Sequence, residues 1–253
     1  MNGEEARVGS ATPAVAAERL PPAGLVQLAA SVVLLASAWP VTKQAIELGA
    51  VPIWFAVGRA GFSALVAFTV LGLAGRLRLP GRRDLPALLG VGLLQLAAFF
   101  AFAHVAVAWV PAGRTAILSN VTTIFIVPLS VLVLKERIPP RRWVAAGLGL
   151  VGVVVLMGPW AIDWTRREVV VGHLLLLGAA ASFGGALVIV RRFPPALSML
   201  QLLPWCFGLA TLALLPLALA HGGGIGLWPG PALGAMAYIG GLAGPLGTWC
   251  VME

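Results

Sequence analysis

The 253-residue chain is 60% apolar before its 31 glycines are counted, only 10% charged, and carries a formal net charge of +8. So few charges cannot cover the outside of a soluble domain of this size, which excludes globular, disordered and fibrous classes. Cys206 and Cys250 lie within apolar runs, too few and too far from loops for a disulfide scaffold or a CxxC metal site.

Uncharged runs long enough to cross a bilayer recur near 25–46, 52–74, 85–108, 111–134, 142–160, 170–190, 197–220 and 231–252. A membrane helix needs about 20 such residues. The first run is too long for the apolar part of a signal peptide. Residues 1–24, mixed in charge and rich in Ala and Pro, read as a disordered cytoplasmic tail. The last two runs are separated by His221-Gly-Gly-Gly-Ile225 and Trp228-Pro-Gly-Pro231, where successive Gly and Pro oppose a continuous helix.

The runs have helical length and lack the ten-residue alternation of a membrane barrel, so an all-α polytopic bundle is expected. Pro52 and Pro111 stand where helices start, while Pro40, Pro128, Pro204, Pro216 and Pro245 lie inside spans and should kink them. Ala145 with Gly149, and Gly240 with Gly244, have the four-residue spacing that lets helices approach closely.

Charge sets the orientation. One set of alternate loops carries Arg76, Arg78, Arg82 and Arg83, then Lys135, Arg137, Arg141 and Arg142, then Arg191 and Arg192; the other set holds Arg166 and Arg167. The positive-inside rule then places the N-terminus in the cytoplasm. Basic residues lying between apolar runs give no nucleic-acid surface, so no nucleic acid is expected as partner.

Enzyme signatures such as HExxH, paired aspartates and GxSxG are absent from the sequence, and its nine acidic residues lie in the tail, loops or span edges. Neither a metal nor a cofactor is expected. Ionisable residues within spans carry a functional reading by default, because burying them in lipid is costly. Arg59 lies seven residues inside the second span, about 10 Å deep, with Lys43 and Arg114 nearer the outer surface. All three could instead extend to the headgroups, with Lys43 paired to Glu47 one turn on.

His104 near the outer end of the third span reads as a structural histidine or a proton carrier. Asn120 is close to mid-bilayer with Thr123 on its face, fit for an interhelical hydrogen bond or for lining a cavity. It stands about 120° from Arg114 around the helix, so both cannot point squarely into one site. In the eighth span Tyr238, Gly241, Pro245 and Trp249 share one face, and Trp39 precedes Pro40 in the first; both are packing or cavity positions. The candidate solute-binding set is therefore Trp39, Lys43, Arg59, His104, Arg114, Asn120, Tyr238 and Trp249.

The chain also echoes itself. Ala36-Ser-Ala-Trp-Pro40 resembles Ala180-Ala-Ser-Phe-Gly184, and five spans per copy would insert the second copy upside down, an inverted repeat. Ala38-Trp-Pro40, Pro111-Ala-Gly113, Lys135-Glu-Arg-Ile138, Trp143 and Gly147-Leu-Gly-Leu-Val-Gly152, in that order, resemble the EamA-type ten-helix members of the drug/metabolite transporter superfamily. Two departures stand out. Thr123 occupies the place of a proline usual in the family, and the second copy stops at Glu253 after three spans, as a fragment or a short variant would.

The resemblance implies a transporter of a small organic solute, an amino acid or metabolite, often exported by alternating access. The expected organisation is a first repeat over 25–160 and an incomplete second over 161–253, in a bacterial inner membrane, with the lipid bilayer as partner and a homo-oligomer possible. The cationic set points to a carboxylate on the solute. With no Asp or Glu inside a span, His104 is the titrating candidate for proton coupling, and uncoupled or exchange transport is the favoured expectation. The rival class is a membrane-embedded enzyme or assembly subunit.

Overall fold

The computed structural model describes residues 22–135, 138–221 and 230–244. Its helices are α1 (Pro22–Glu47), α2 (Pro52–Leu73), α3 (Leu85–Trp109), α4 (Ala112–Leu134), α5 (Pro140–Met157), α6 (Arg167–Arg192), α7 (Met199–Ala220) and α8, built from Gly230–Ala237 and Tyr238–Ala243. Six of these, α2 to α7, each have the length and apolarity to cross a bilayer among the described residues. The described elements are all helical and sit where the apolar runs fall, so the chain is an all-α polytopic membrane protein. The tail before Pro22, Glu136 and Arg137 of the Lys135-Ile138 motif, and Pro245 and Trp249 of the eighth-span stripe lie outside the described residues.

Small side chains set the centre of the bundle. Ala56 and Ala60 on α2 and Ala210 and Ala218 on α7 are completely buried, and Trp54, Phe100, Leu202 and Phe207 fill the space around them with α3. Here Ala brings helices close, which is what drives packing when lipid is as apolar as protein. The paired glycines behave differently. A Cβ on Gly240 would stand 2.7 Å from the Arg59 carbonyl oxygen and from Phe62 Cβ, and one on Gly244 would stand 2.9 Å from Ser63 Oγ, so α8 presses on α2. A Cβ on Gly149 would meet nothing within 4 Å, and α5 buries none of its residues. The expectation of close packing there through Ala145 and Gly149 is corrected.

Regular α-helix fails at three places inside spans. Gly90–Ala98 of α3 and Tyr238–Ala243 of α8 are π-helical. Each carries a glycine pressed against another span: Gly92, whose Cβ would stand 2.8 Å from Leu209 of α7, and Gly240 against α2. In α4 the helix stops at Ser119 and restarts at Thr122, eight residues before the proline expected to kink it. Asn120 Nδ2 donates to the Ala116 carbonyl at 2.7 Å, and the Asn120 N–H turns instead to Ile117 at 3.2 Å. The side chain has taken the oxygen its own backbone would use. Pro40, Pro128, Pro204 and Pro216 lie within unbroken helical segments.

On the side the loop charges assign to the cytoplasm, Asp84 joins two connections. Its Oδ1 accepts from the N–H groups of Ala196 at 2.7 Å and Leu197 at 3.0 Å, and its Oδ2 from Gly81 at 2.8 Å. Trp205 adds an indole N–H to the Arg78 carbonyl at 2.9 Å.

Candidate functional site

Two pairs of residues one turn apart meet between α2 and α3: Phe55 and Arg59 on one helix, Phe100 and His104 on the other. The Arg59 guanidinium lies over Phe100, its Cζ 4.4 Å from the ring centroid. It thus turns toward a residue deeper in the membrane than itself and does not extend to the outer headgroups. His104 packs on Phe55 at 5.8 Å and edge-on to Phe100 at 5.6 Å. Its Nδ1 is 2.7 Å from the Phe100 carbonyl oxygen, which can only accept, so Nδ1 carries the hydrogen. Arg59 Nε and His104 Nε2 are both buried without a hydrogen-bond partner.

Arg59 is thus a cation inside the membrane with an aromatic face beneath it. Among the described residues the ion pair present is Lys43 with Glu47 at 3.8 Å, and no described carboxylate pairs with Arg59. A charged residue at the centre of a membrane helix costs about 2.5–3.5 kcal/mol on insertion scales, and a cation–π contact returns about 0.5–2 kcal/mol. The contact thus offsets only part of that cost.

Two further candidates adjoin this group. Ser37 Oγ donates to the Leu34 carbonyl at 2.9 Å, which leaves the Tyr238 hydroxyl to donate to Ser37 at 2.8 Å, tying α8 to α1. Tyr238 opens the π segment whose Gly240 lies against Arg59, and Ser63 Oγ donates to the Gly240 carbonyl at 2.8 Å. Trp39 stands edge-on to Phe99 at 6.2 Å, and Phe183 of α6 meets Phe99 at 5.5 Å. Trp39 and Phe183 are the aromatic residues of the two echoing segments, so both segments converge on one ring.

The other candidates are placed apart. Lys43 donates to the carbonyls of Val107 at 2.9 Å and Ala108 at 3.2 Å, capping the C-terminal end of α3 where cations are favoured. Arg114 is half-buried and Asn120 exposed on α4. Neither shares a hydrogen bond, ion pair or ring contact with the Arg59 group. Trp249 lies outside the described residues. Sequence reasoning passed over Phe99 and Phe100, although the four-residue spacing of Phe100 and His104 was available as a signal. It also passed over Gln95, the amide in the middle of α3. No group of three or more His, Cys, Asp or Glu able to hold a metal occurs among the described residues.

Comparison with known proteins agrees with the geometry. The sequence profile of the EamA-like transporter family matches residues 22–158, more than half of the chain. The chain is 33% identical over 151 residues to the uncharacterized transporter YdfC of Bacillus subtilis (strain 168), covering 59% of this chain and 47% of that protein. It is 29% identical over 111 residues to an S-adenosylmethionine uptake transporter of Rickettsia prowazekii (strain Madrid E), covering 44% of this chain and 36% of that protein. Each match thus takes in less than half of the relative's length. A crystal structure with 21% identity superposes with a TM-score of 0.61 over 90% of this chain and 78% of that one, a likeness of fold. With six membrane-length apolar helices where the sequence assigns them among the described residues and a family match over residues 22–158, the chain belongs to the EamA-like transporter family.

Proposed function

We propose that the chain moves a small organic solute bearing a carboxylate, an amino acid or related metabolite, outward across a bacterial inner membrane by alternating access. The single observation that carries this reading is Arg59, a membrane cation resting on Phe100 with a buried, unpartnered Nε and no carboxylate of the described chain beside it. Arginine holds a carboxylate through two parallel hydrogen bonds, so the solute completes the site. S-adenosylmethionine, which the name of one relative gives as its substrate, carries such a group and belongs in the test panel.

The architecture we propose is an inverted repeat, with 25–160 as one copy and the spans of 161–253 belonging to the other, and the N-terminus in the cytoplasm. The π segments of α3 and α8 support it, since these are the third spans of the two copies and each presses a glycine on the other copy's second span. Coupling is by exchange or is absent: His104 is 1% exposed and bonds the Phe100 carbonyl, with no relay partner among the described residues.

The test is counterflow into proteoliposomes with radiolabelled amino acids, hydroxy acids and S-adenosylmethionine, read in both directions. Flux of at least one carboxylate is expected. Arg59→Gln should then lose tenfold or more in kcat/KM, since a charged hydrogen bond contributes about 1.5–3 kcal/mol. Unchanged kcat/KM in a folded Arg59→Gln protein would overturn the carboxylate site.

A further inference from the structure

Gln95 is the uncharged polar residue in the middle of α3, ten residues from Leu85 and so about 15 Å from that end of the span, close to the bilayer midplane. It is half-exposed, and among the described residues its amide makes no hydrogen bond. In hydrocarbon such an amide would be a heavy cost. Where it faces therefore decides what surrounds it.

The neighbours of Gln95 bear on its direction. Successive residues step roughly 80–100° around a helix of this kind, so Leu93 lies opposite Gln95 while Leu94 and Leu96 flank it. Leu93 is 37% exposed, while Ala97, also two residues from Gln95, is buried in the cluster formed with α2 and α7. Leu94 lies against α6, its Cδ1 3.7 Å from where a Cβ on Gly185 would be. Leu96 is buried in the cluster formed with α2 and α7. Gln95 thus lies between the side of α3 that meets α6 and the side that packs with α2 and α7, and is only half-buried there. One turn on, Phe99 holds Trp39 of α1 and Phe183 of α6 about its ring, and all three rings are half-buried.

We infer that Gln95 lines a water-filled cavity at the membrane midplane and gives the solute an uncharged hydrogen-bonding contact there. This rests on the carrier reading above and extends it from the charged end of the solute to a second polar group. An amide both donates and accepts, so it suits a hydroxyl, amide or amino group set apart from the carboxylate. Water satisfies Gln95 when the cavity is empty, and Phe99 supplies an apolar wall beside it.

The experiment uses the full chain with Cys206→Ala and Cys250→Ala, reconstituted in proteoliposomes, carrying either Gln95→Cys or Leu93→Cys. The probe is sulfonatoethyl methanethiosulfonate, a charged reagent that modifies thiols in water. The cysteine at 95 should react at least tenfold faster than the one at 93, and its modification should stop counterflow of the panel solutes. Equal rates at the two positions would overturn the cavity, and fast modification with undiminished flux would overturn the solute contact. Gln95→Leu should keep the thermal midpoint of the parent chain; a clear fall would mean that the amide serves packing instead. Labelling does not depend on Arg59, so an Arg59→Gln protein with full activity would sink the carboxylate site and leave this inference standing.

Discussion

At the scale of single residues, the few polar side chains in this chain divide into those already occupied by the protein and those left open. Lys43 spends its hydrogens on the end of α3, and Asp84 accepts three backbone N–H groups; both hold the bundle together. The N–H groups of Leu197, Gly81 and Ala196 outweigh burial and hold the Asp84 carboxyl below its ordinary range. A carboxylate with a lowered pKa stabilises the fold above its unfolded value of about 3.9, and that contribution is lost as pH falls through the folded value. Asp84→Asn should therefore lower the thermal midpoint at pH 7, and the gap to the parent protein should narrow only below about pH 4. A gap of constant size between pH 7 and pH 3 would show that charge is not what Asp84 contributes. Arg59 and Gln95 belong to the other class, and the transport and labelling experiments bear on them.

At the scale of helices, the departures from regular α-structure fall at or beside polar and aromatic residues inside spans. The π segment of α3 contains Gln95 and ends one residue before Phe99, the π segment of α8 begins at Tyr238, and the break in α4 is at Asn120. Close backbone approach is specific to some of the glycines. A methyl at Gly240 would collide with the Arg59 backbone and force α2 and α8 apart, so Gly240→Ala should cost about 1–3 kcal/mol of stability. Gly149 faces open space, and Gly149→Ala should be neutral or stabilising by up to about 1 kcal/mol through helix propensity. Denaturant titration of both variants in mixed micelles checks the contrast; equal losses would contradict the close contact of α8 on α2.

At the scale of the whole molecule, the proposed orientation rests on the loop charges. Cysteines placed by Gly81→Cys and Pro140→Cys should react only with reagents that reach the cytoplasm, and one placed by Thr165→Cys should react from outside, as the arginine asymmetry requires. Labelling of the cysteine at 81 by an impermeant reagent on intact cells would reverse the assignment. The same orientation puts the Asp84 and Trp205 contacts on the cytoplasmic side and the Lys43 cap of α3 on the outer side, with Arg59 and Gln95 between them.

The sequence alone determined the class and the position of every described span, because a bilayer reads little more than the length and apolarity of a run, and both are local properties. It also singled out Arg59 and His104 as ionisable residues inside spans. That both rest on Phe100, that Trp39 and Phe183 meet at Phe99, and that Lys43 is engaged by carbonyls 64 and 65 residues away only the tertiary structure decided. Interhelical contacts depend on how helices rotate and cross, which apolar composition does not encode. The break at Asn120 was equally hidden, since it turns on which of two donors takes the Ala116 carbonyl. Packing also separated Gly240 from Gly149: identical spacing in the sequence became a tight contact in one helix and an open face in the other, because only Gly240 is turned toward a neighbouring helix at contact distance.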